Sequence, residues 1–165
     1  MPVPLLNAVG RPDRSLLSFG FAMNPDALPW TLIEASNEDG PILVRRRDFP
    51  DDFPKGDFPH RLNVFWRLSE SSPNGMPEDV ESNRMRLFED RIVEATEPDR
   101  QTVLSLVLTG KSQREYVFHT QGLDEFLRRL ADMPQESDPY PVEIHHTEDS
   151  TWEYVDRVLE DFKCD

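Results

Sequence analysis

Cysteine is nearly absent: Cys164, beside the C-terminus, is the single one in 165 residues. A disulfide framework within the chain is therefore excluded. Terminal residues fray, so Cys164 reads as a frayed end rather than a redox thiol. Long apolar runs are missing too, and no stretch nears the ~20 residues of a membrane span. The best run, Leu16 to Met23, is short and broken by Gly20. It follows Arg11 and Arg14 as a signal-peptide core would, but no small-residue cleavage pattern comes after it. The expected location is the cytoplasm. Positive charge is scarce, with 18 Lys and Arg against 32 Asp and Glu, a formal net charge of −14. That balance repels nucleic acid and anionic membrane; it attracts a basic protein surface or, as the plainer reading, serves solubility alone. The glycine patterns of nucleotide loops are missing: Asn74-Gly75 and Thr109-Gly110-Lys111 lack the residues that complete them. Metal-ligand spacings of Cys and His are missing as well, so neither a metal nor a cofactor is expected.

What is present fits one globular unit. A chain of 165 residues matches a single domain and can bury a core without staples. Apolar residues at 37% and charged residues at 30% exclude a disordered chain. The 15 prolines mostly separate apolar runs, which implies fixed loops. Charge is uneven along the chain. Residues 1–29 balance to zero, whereas residues 131–165 hold 11 acids against Arg157 and Lys163.

Residues 1–29 show no period and carry prolines at 2, 4, 12, 25 and 29. They read as an irregular arm that lays Leu16, Leu17, Phe19 and Phe21 on a single α+β domain spanning 30–165. Trp30 to Ser36 and Ile42 to Arg47 alternate around Asn37-Glu38-Asp39-Gly40-Pro41, the pattern of a β-hairpin. Asp48 to Pro59 is a loop that its phenylalanines can pin. Arg61 to Ser69 alternates as a strand, with Leu62, Val64, Trp66 and Leu68 on one face. Pro77 suits the first position of a helix whose stripe is Met85, Phe88, Ile92 and Ala95, and Pro98 ends it. Val103 to Leu108 reads as a central strand buried on both faces, and Arg114 to His119 returns beside it. Leu123, Phe126, Leu127 and Leu130 make a second helical stripe, and Pro141 to Thr147 another strand. Asp149 or Ser150 caps a last helix bearing Trp152, Val155, Leu159 and Phe162. From residue 61 the order is β-α-β-β-α-β. The expected fold is therefore a ferredoxin-like core, an antiparallel sheet with both helices on one face, preceded by a hairpin and followed by a helix.

A series of short motifs carries a resemblance. It runs Trp30, Gly40-Pro41-Ile42-Leu43-Val44-Arg45, Phe58-Pro59-His60-Arg61-Leu62, Asn74-Gly75-Met76-Pro77 and Phe88-Glu89-Asp90. It continues through Thr109-Gly110, Arg114-Glu115-Tyr116-Val117-Phe118, Tyr140-Pro141-Val142 and Asp149-Ser150-Thr151-Trp152. The series resembles domain-of-unknown-function family 695, over about residues 30–160. The resemblance implies a bacterial protein without an established activity and supplies no functional residues. A more distant likeness, to ribonuclease E regulator B type domains, implies action by protein contact rather than catalysis.

Several residues are candidates for chemistry. Arg45 and Arg47 of the triple-arginine cluster share a strand face and could fork onto phosphate or carboxylate. Pairing with Asp48, Asp51 and Asp52, or guarding an edge strand, is the blander expectation. His145 and His146 are adjacent, so on a strand they point to opposite faces and cannot share an ion. Glu89 and Asp90 would be an acid/base pair if buried, and a solvated helix face paired to Arg86 or Arg91 if not. No Ser/His/Asp order can be argued from spacing alone. Tyr116, Phe118 and Phe65 could offer rings to RNA on an open sheet face, but the net charge opposes that. Three readings follow. The favoured one is a non-enzymatic protein-binding module whose partner is basic, such as a nuclease. An enzyme of unknown reaction would draw on His60, Arg61, Glu89, Asp90 and His119. A small-ligand domain would be lined by Phe49, Phe53, Phe58 and Trp66. For any binding role the candidate residues are Arg45, Arg47, Arg61 and Trp66.

Overall fold

Alternating apolar and polar residues closed by a short polar turn make the first hairpin. A computed structural model describes residues 28–70 and 72–162. The arm over 1–29, all but its last two residues, and Cys164 lie outside them. Strand β1 (Trp30–Asn37) pairs antiparallel with β2 (Gly40–Arg47). There follow β3 (His60–Arg67), α1 (Asp79–Thr96), β4 (Thr102–Gly110), β5 (Gln113–Thr120), α2 (Leu123–Asp132), β6 (Val142–Glu148) and α3 (Glu153–Asp161). The strands form one six-stranded sheet in the order β1-β2-β4-β5-β3-β6, with each neighbouring pair antiparallel. The fold is α+β with an open antiparallel sheet. Among the described residues no helix is long and apolar enough to cross a membrane.

Period-2 alternation decides which side chains meet which layer. Leu62, Val64 and Trp66 of β3 and Tyr116 and Phe118 of β5 face one side. There Met85, Phe88 and Ile92 of α1 and Phe126 of α2 cover them. On the opposite side, Ile42, Val44, Leu106 and Val117 pack against Val158 of α3. Phe53 and Phe58 of the 48–59 loop join Trp152 and Val103 there. Strand β4 is buried on both faces, as its unbroken apolar run requires. Its pairing with β5 shifts register between Leu104 and Leu106, leaving Ser105 as an extra residue. The bulge lets Leu104 and Val107 share the α1 side while Val103 and Leu106 share the other.

Two details differ from the sequence reading. Helix α1 begins at Asp79, because Glu78 is still extended and its carbonyl accepts the first helical bond, from Ser82 at 2.8 Å. Pro77 therefore precedes the helix rather than opening it. Leu127 is exposed, and of the α2 stripe Phe126 is the fully buried member. The β4–β5 turn is tight. Lys111 and Ser112 both take left-handed φ values, 56° and 64°, the pattern of a type I′ hairpin. Gly110 precedes them where a Cβ would stand 2.9 Å from the Pro41 carbonyl oxygen.

Candidate functional site

Helix α3 covers the sheet over β2, β4 and β5 and stops short of the last two strands. The residues of β3 that do not face α1 therefore remain open: Arg61, Asn63, Phe65 and Arg67. Glu143, His145 and Thr147 of β6 stand beside them. With Tyr154 of α3 they enclose a groove of about 390 Å³. Phe65 meets His145 edge to face, with ring centroids 5.5 Å apart. Arg67 reaches Glu143 at 3.4 Å at the exposed rim.

The floor of the groove is a connected polar network. The Arg61 guanidinium donates to Asn63 Oδ1 at 2.9 Å and to Asp149 Oδ2 at 3.1 Å. It also lies 4.3 Å over the Tyr154 ring. Asn63 Nδ2 and the Tyr154 hydroxyl both donate to Glu115 Oε2, at 2.6 and 2.5 Å. Burial, then the Glu115 carboxylate, pushes the Tyr154 phenol well above its ordinary range. Burial would raise the Asp149 carboxyl, but hydrogen bonds from His119 and Arg61 outweigh it and hold the group at about 2. Asp149 Oδ1 also accepts the Glu153 N–H of the first turn of α3 at 2.9 Å. The N-cap position is nevertheless Trp152, with left-handed backbone, so the helix starts later than a cap at Asp149 or Ser150 implies and does not carry Trp152.

Behind Asp149 lies a constellation that one sequence could not reveal. His119 Nε2 stands 3.5 Å from Asp149 Oδ2, and His119 Nδ1 stands 2.9 Å from Ser105 Oγ. The residue types and order are those of a nucleophile relay. The surroundings are not. Ser105 is 1% exposed and its hydroxyl also donates to the Val117 carbonyl at 2.9 Å. A nucleophilic oxygen must reach an electrophile, and here the bulge folds it into the sheet. Trp152 stacks on His119 with centroids 4.0 Å apart, and its indole N–H donates to the Lys55 and Phe58 carbonyls. The relay thus ties β4, β5, the 48–59 loop and the start of α3 together.

That tie carries a pH dependence. Burial disfavours the His119 imidazolium and lowers its pKa below the ordinary 6.5, despite the opposing pull of Asp149. The folded chain then binds fewer protons than the unfolded chain as pH falls through 6.5. Stability from this group is full above that value and declines below it. Asp149 acts with the same sign at lower pH, its contribution present above 3.8 and lost as pH falls toward about 2. Urea midpoints should fall on the acid side of pH 6.5, and His119→Phe should flatten that first decline and, by removing a hydrogen bond that holds Asp149 low, reduce the second as well. A wild-type midpoint that rises on acidification below 6.5 would contradict the assignment.

The other sequence candidates occupy separate places. Arg45 forks onto both carboxylate oxygens of Glu89 on α1, one contact at 3.2 Å. Arg47 is buried against Glu97 at 2.9 Å and also donates to the Leu104 carbonyl. The Trp30 ring lies 5.2 and 4.9 Å from the two guanidinium carbons. Arg46 points the other way, to Asp48. Of pairing with the adjacent aspartates and guarding an edge strand, the first holds for Arg46 alone, since Arg45 and Arg47 reach acids on and beyond α1, and the second does not hold, because β2 lies between β1 and β4. Asp90 is exposed. His60 Nδ1 lies 3.1 Å from His146 Nε2 on the α1 side of the sheet, whereas His119 is on the opposite side. Of the acid/base candidates only His119 adjoins Arg61. Trp66 is buried beneath α1 with its N–H donated to Glu81 at 2.9 Å. Phe49, Phe53 and Phe58 pack with Trp152 across the sheet from Trp66, so these four rings do not line one cavity. Tyr116 and Phe118 are likewise buried, and Phe65 alone of those three rings reaches the open face. Among the described residues no group of three or more His, Cys, Asp and Glu is placed to hold a metal ion.

A family model described as a family of unknown function (DUF695) matches residues 29–158. It is the family that the motif series resembles. Neither a curated protein nor a solved structure matches the chain.

Proposed function

We propose, from the premise that the chain belongs to the DUF695 family of unknown function, that it is a non-enzymatic protein-binding module whose open β3–β6 face takes a basic protein surface. The observation that carries this reading is the exposed acidic charge on β6 and α3, the two elements that border the groove. Glu148 of β6, on the α1 side, and Asp156, Glu160 and Asp161 of α3 are exposed, as are Glu143 and Glu153, which pair with Arg67 and Arg157. Within the groove the arginines are matched: Arg61 is held by Asp149 and Arg67 by Glu143. The surroundings are therefore anionic on a chain of net charge −14. Phe65, half-buried beside His145, offers the apolar anchor that interfaces concentrate at their centre. The internal strand order β4-β5-β3-β6 supports a ferredoxin-like reading of the core, a fold that hosts many functions.

Chemical cross-linking in native lysate, at low and at raised salt, tests the proposal. Basic proteins should be captured at low salt and weakened at raised salt, as surface electrostatics require. Phe65→Ala should reduce the capture about tenfold while leaving the urea midpoint within experimental spread, the loss expected of an interface anchor. No protein captured in either condition, or tight salt-sensitive binding of an oligonucleotide by the pure protein, overturns it.

A further inference from the structure

The edge strand β6 shows how a partner can be received. We propose that β6 accepts an extended, lysine- or arginine-bearing segment of a partner as an added strand of the sheet. This rests on the protein-binding reading above and assigns it a docking edge.

The ladder between β3 and β6 decides which backbone groups of β6 are free. In the β3–β6 ladder the Asp149 N–H donates to the Pro59 carbonyl at 2.7 Å. Antiparallel pairs alternate between hydrogen-bonded and non-hydrogen-bonded. Counting in steps of two, residues 147, 145 and 143 turn their N–H and C=O toward β3. Residues 144, 146 and 148 turn theirs outward. The same parity follows from the far side of β3, where Leu68 N–H donates to the Ser112 carbonyl and so assigns even-numbered residues to β5. Val142 N–H is occupied by the Tyr140 carbonyl. Among the described residues, the amides of Ile144, His146 and Glu148 have no backbone partner.

Native sheets usually blunt such an edge with charged side chains, above all lysine, or with a proline or a bulge. Val142–Glu148 has no proline, bulge or lysine, only acidic guards that do not repel a cationic strand, and its register with β3 runs unbroken. The charges on it are acidic, Glu143 toward the groove, where it also meets Arg67, and Glu148 toward the α1 side. Side chains directly across an antiparallel pair lie about 4.5–5.5 Å apart, so cations on an incoming strand would meet these acids. The opposite edge of the sheet differs. Strand β1 carries one acid, Glu34, and so offers a cationic strand less; the arginines of its neighbour β2 are held by Glu89, Asp48 and Glu97. A second copy of this chain is disfavoured on β6, because it brings a net charge of −14 of its own.

The probe is a synthetic peptide alternating lysine and valine, with a glutamate–valine peptide as control. Amide hydrogen exchange on the isotope-labelled full chain is read residue by residue. The lysine peptide should bind at low salt, weaken at raised salt, and slow exchange at Ile144, His146 and Glu148. His146→Pro removes one outward donor and leaves the inward ladder intact, which an edge strand tolerates. It should weaken binding about three- to tenfold, the worth of one hydrogen bond. Should that variant fail to fold, Glu143→Gln with Glu148→Gln serves instead and should reduce both affinity and its salt dependence. Binding that leaves those three amides unprotected, or equal binding of the glutamate peptide, overturns the docking edge while leaving the protein-binding reading in place. Protection of the same amides by self-association also overturns it. If neither peptide nor any basic protein binds, both readings fall together.

Discussion

Asp149→Ala should lower the unfolding free energy by about 3–5 kcal/mol, the range for stranding one member of a buried ion pair. The side chain serves three groups at once. It accepts from Arg61 at 3.1 Å, faces His119 at 3.5 Å, and accepts the Glu153 N–H in the first turn of α3. The Arg61 and Asp149 side chains are 12% and 6% exposed, so water cannot replace the lost carboxylate. Asp149→Asn keeps an acceptor for that N–H and removes only the charge, so its loss should be smaller. Urea unfolding of both variants measures the difference. The Arg61→Met, Asp149→Ala pair should lose less than the sum of the single changes, since the second no longer strands a charge. Strict additivity would show that the two residues act independently.

A loss of similar size, about 3–5 kcal/mol, is expected for Glu97→Ala. Glu97 follows the last turn of α1 and its Oε2 accepts both Arg47 Nη1 at 2.9 Å and the Leu104 N–H at 2.6 Å. The two side chains are 5% and 3% exposed. Removing the carboxylate leaves a guanidinium and a strand amide under the helix with nothing to replace it. Glu97→Gln retains an acceptor and should lose less. Exchanging both partners for apolar residues, Arg47→Met with Glu97→Leu, should recover much of the loss, because neither charge then needs desolvation. Thermal midpoints of the three variants order these expectations. If the double exchange is no better than Glu97→Ala, the cost lies in the Leu104 amide rather than in the ion pair.

The elements were legible because each is written in neighbouring residues. Alternation gave away the hairpin and β3, and the unbroken run of β4 marked a strand buried on both faces. The places where reading fell short were also local. A helix start depends on where backbone dihedrals turn, and Glu78 turns later than the Pro77 signal implied. The site was far less legible. Arg61 was singled out, but nothing near it in sequence points to Asp149, which is 88 residues away. Glu89 was a candidate acid, and its partner Arg45 is 44 residues away. Glu115, the acceptor at the base of the groove, was read only as part of a motif series.

From the chain alone came the α+β class, the order of strands and helices, the acidic balance and the family, all properties of composition or of residues a few places apart. Only the tertiary structure decided which face stays open, which acids are spent on arginines, and that Ser105, His119 and Asp149 meet inside the sheet. Strand order and the reach of α3 determine those things, and both depend on contacts between segments far apart along the chain. Burial then sets the charge states, because a carboxylate or an imidazole titrates according to what the fold brings within a few ångströms of it.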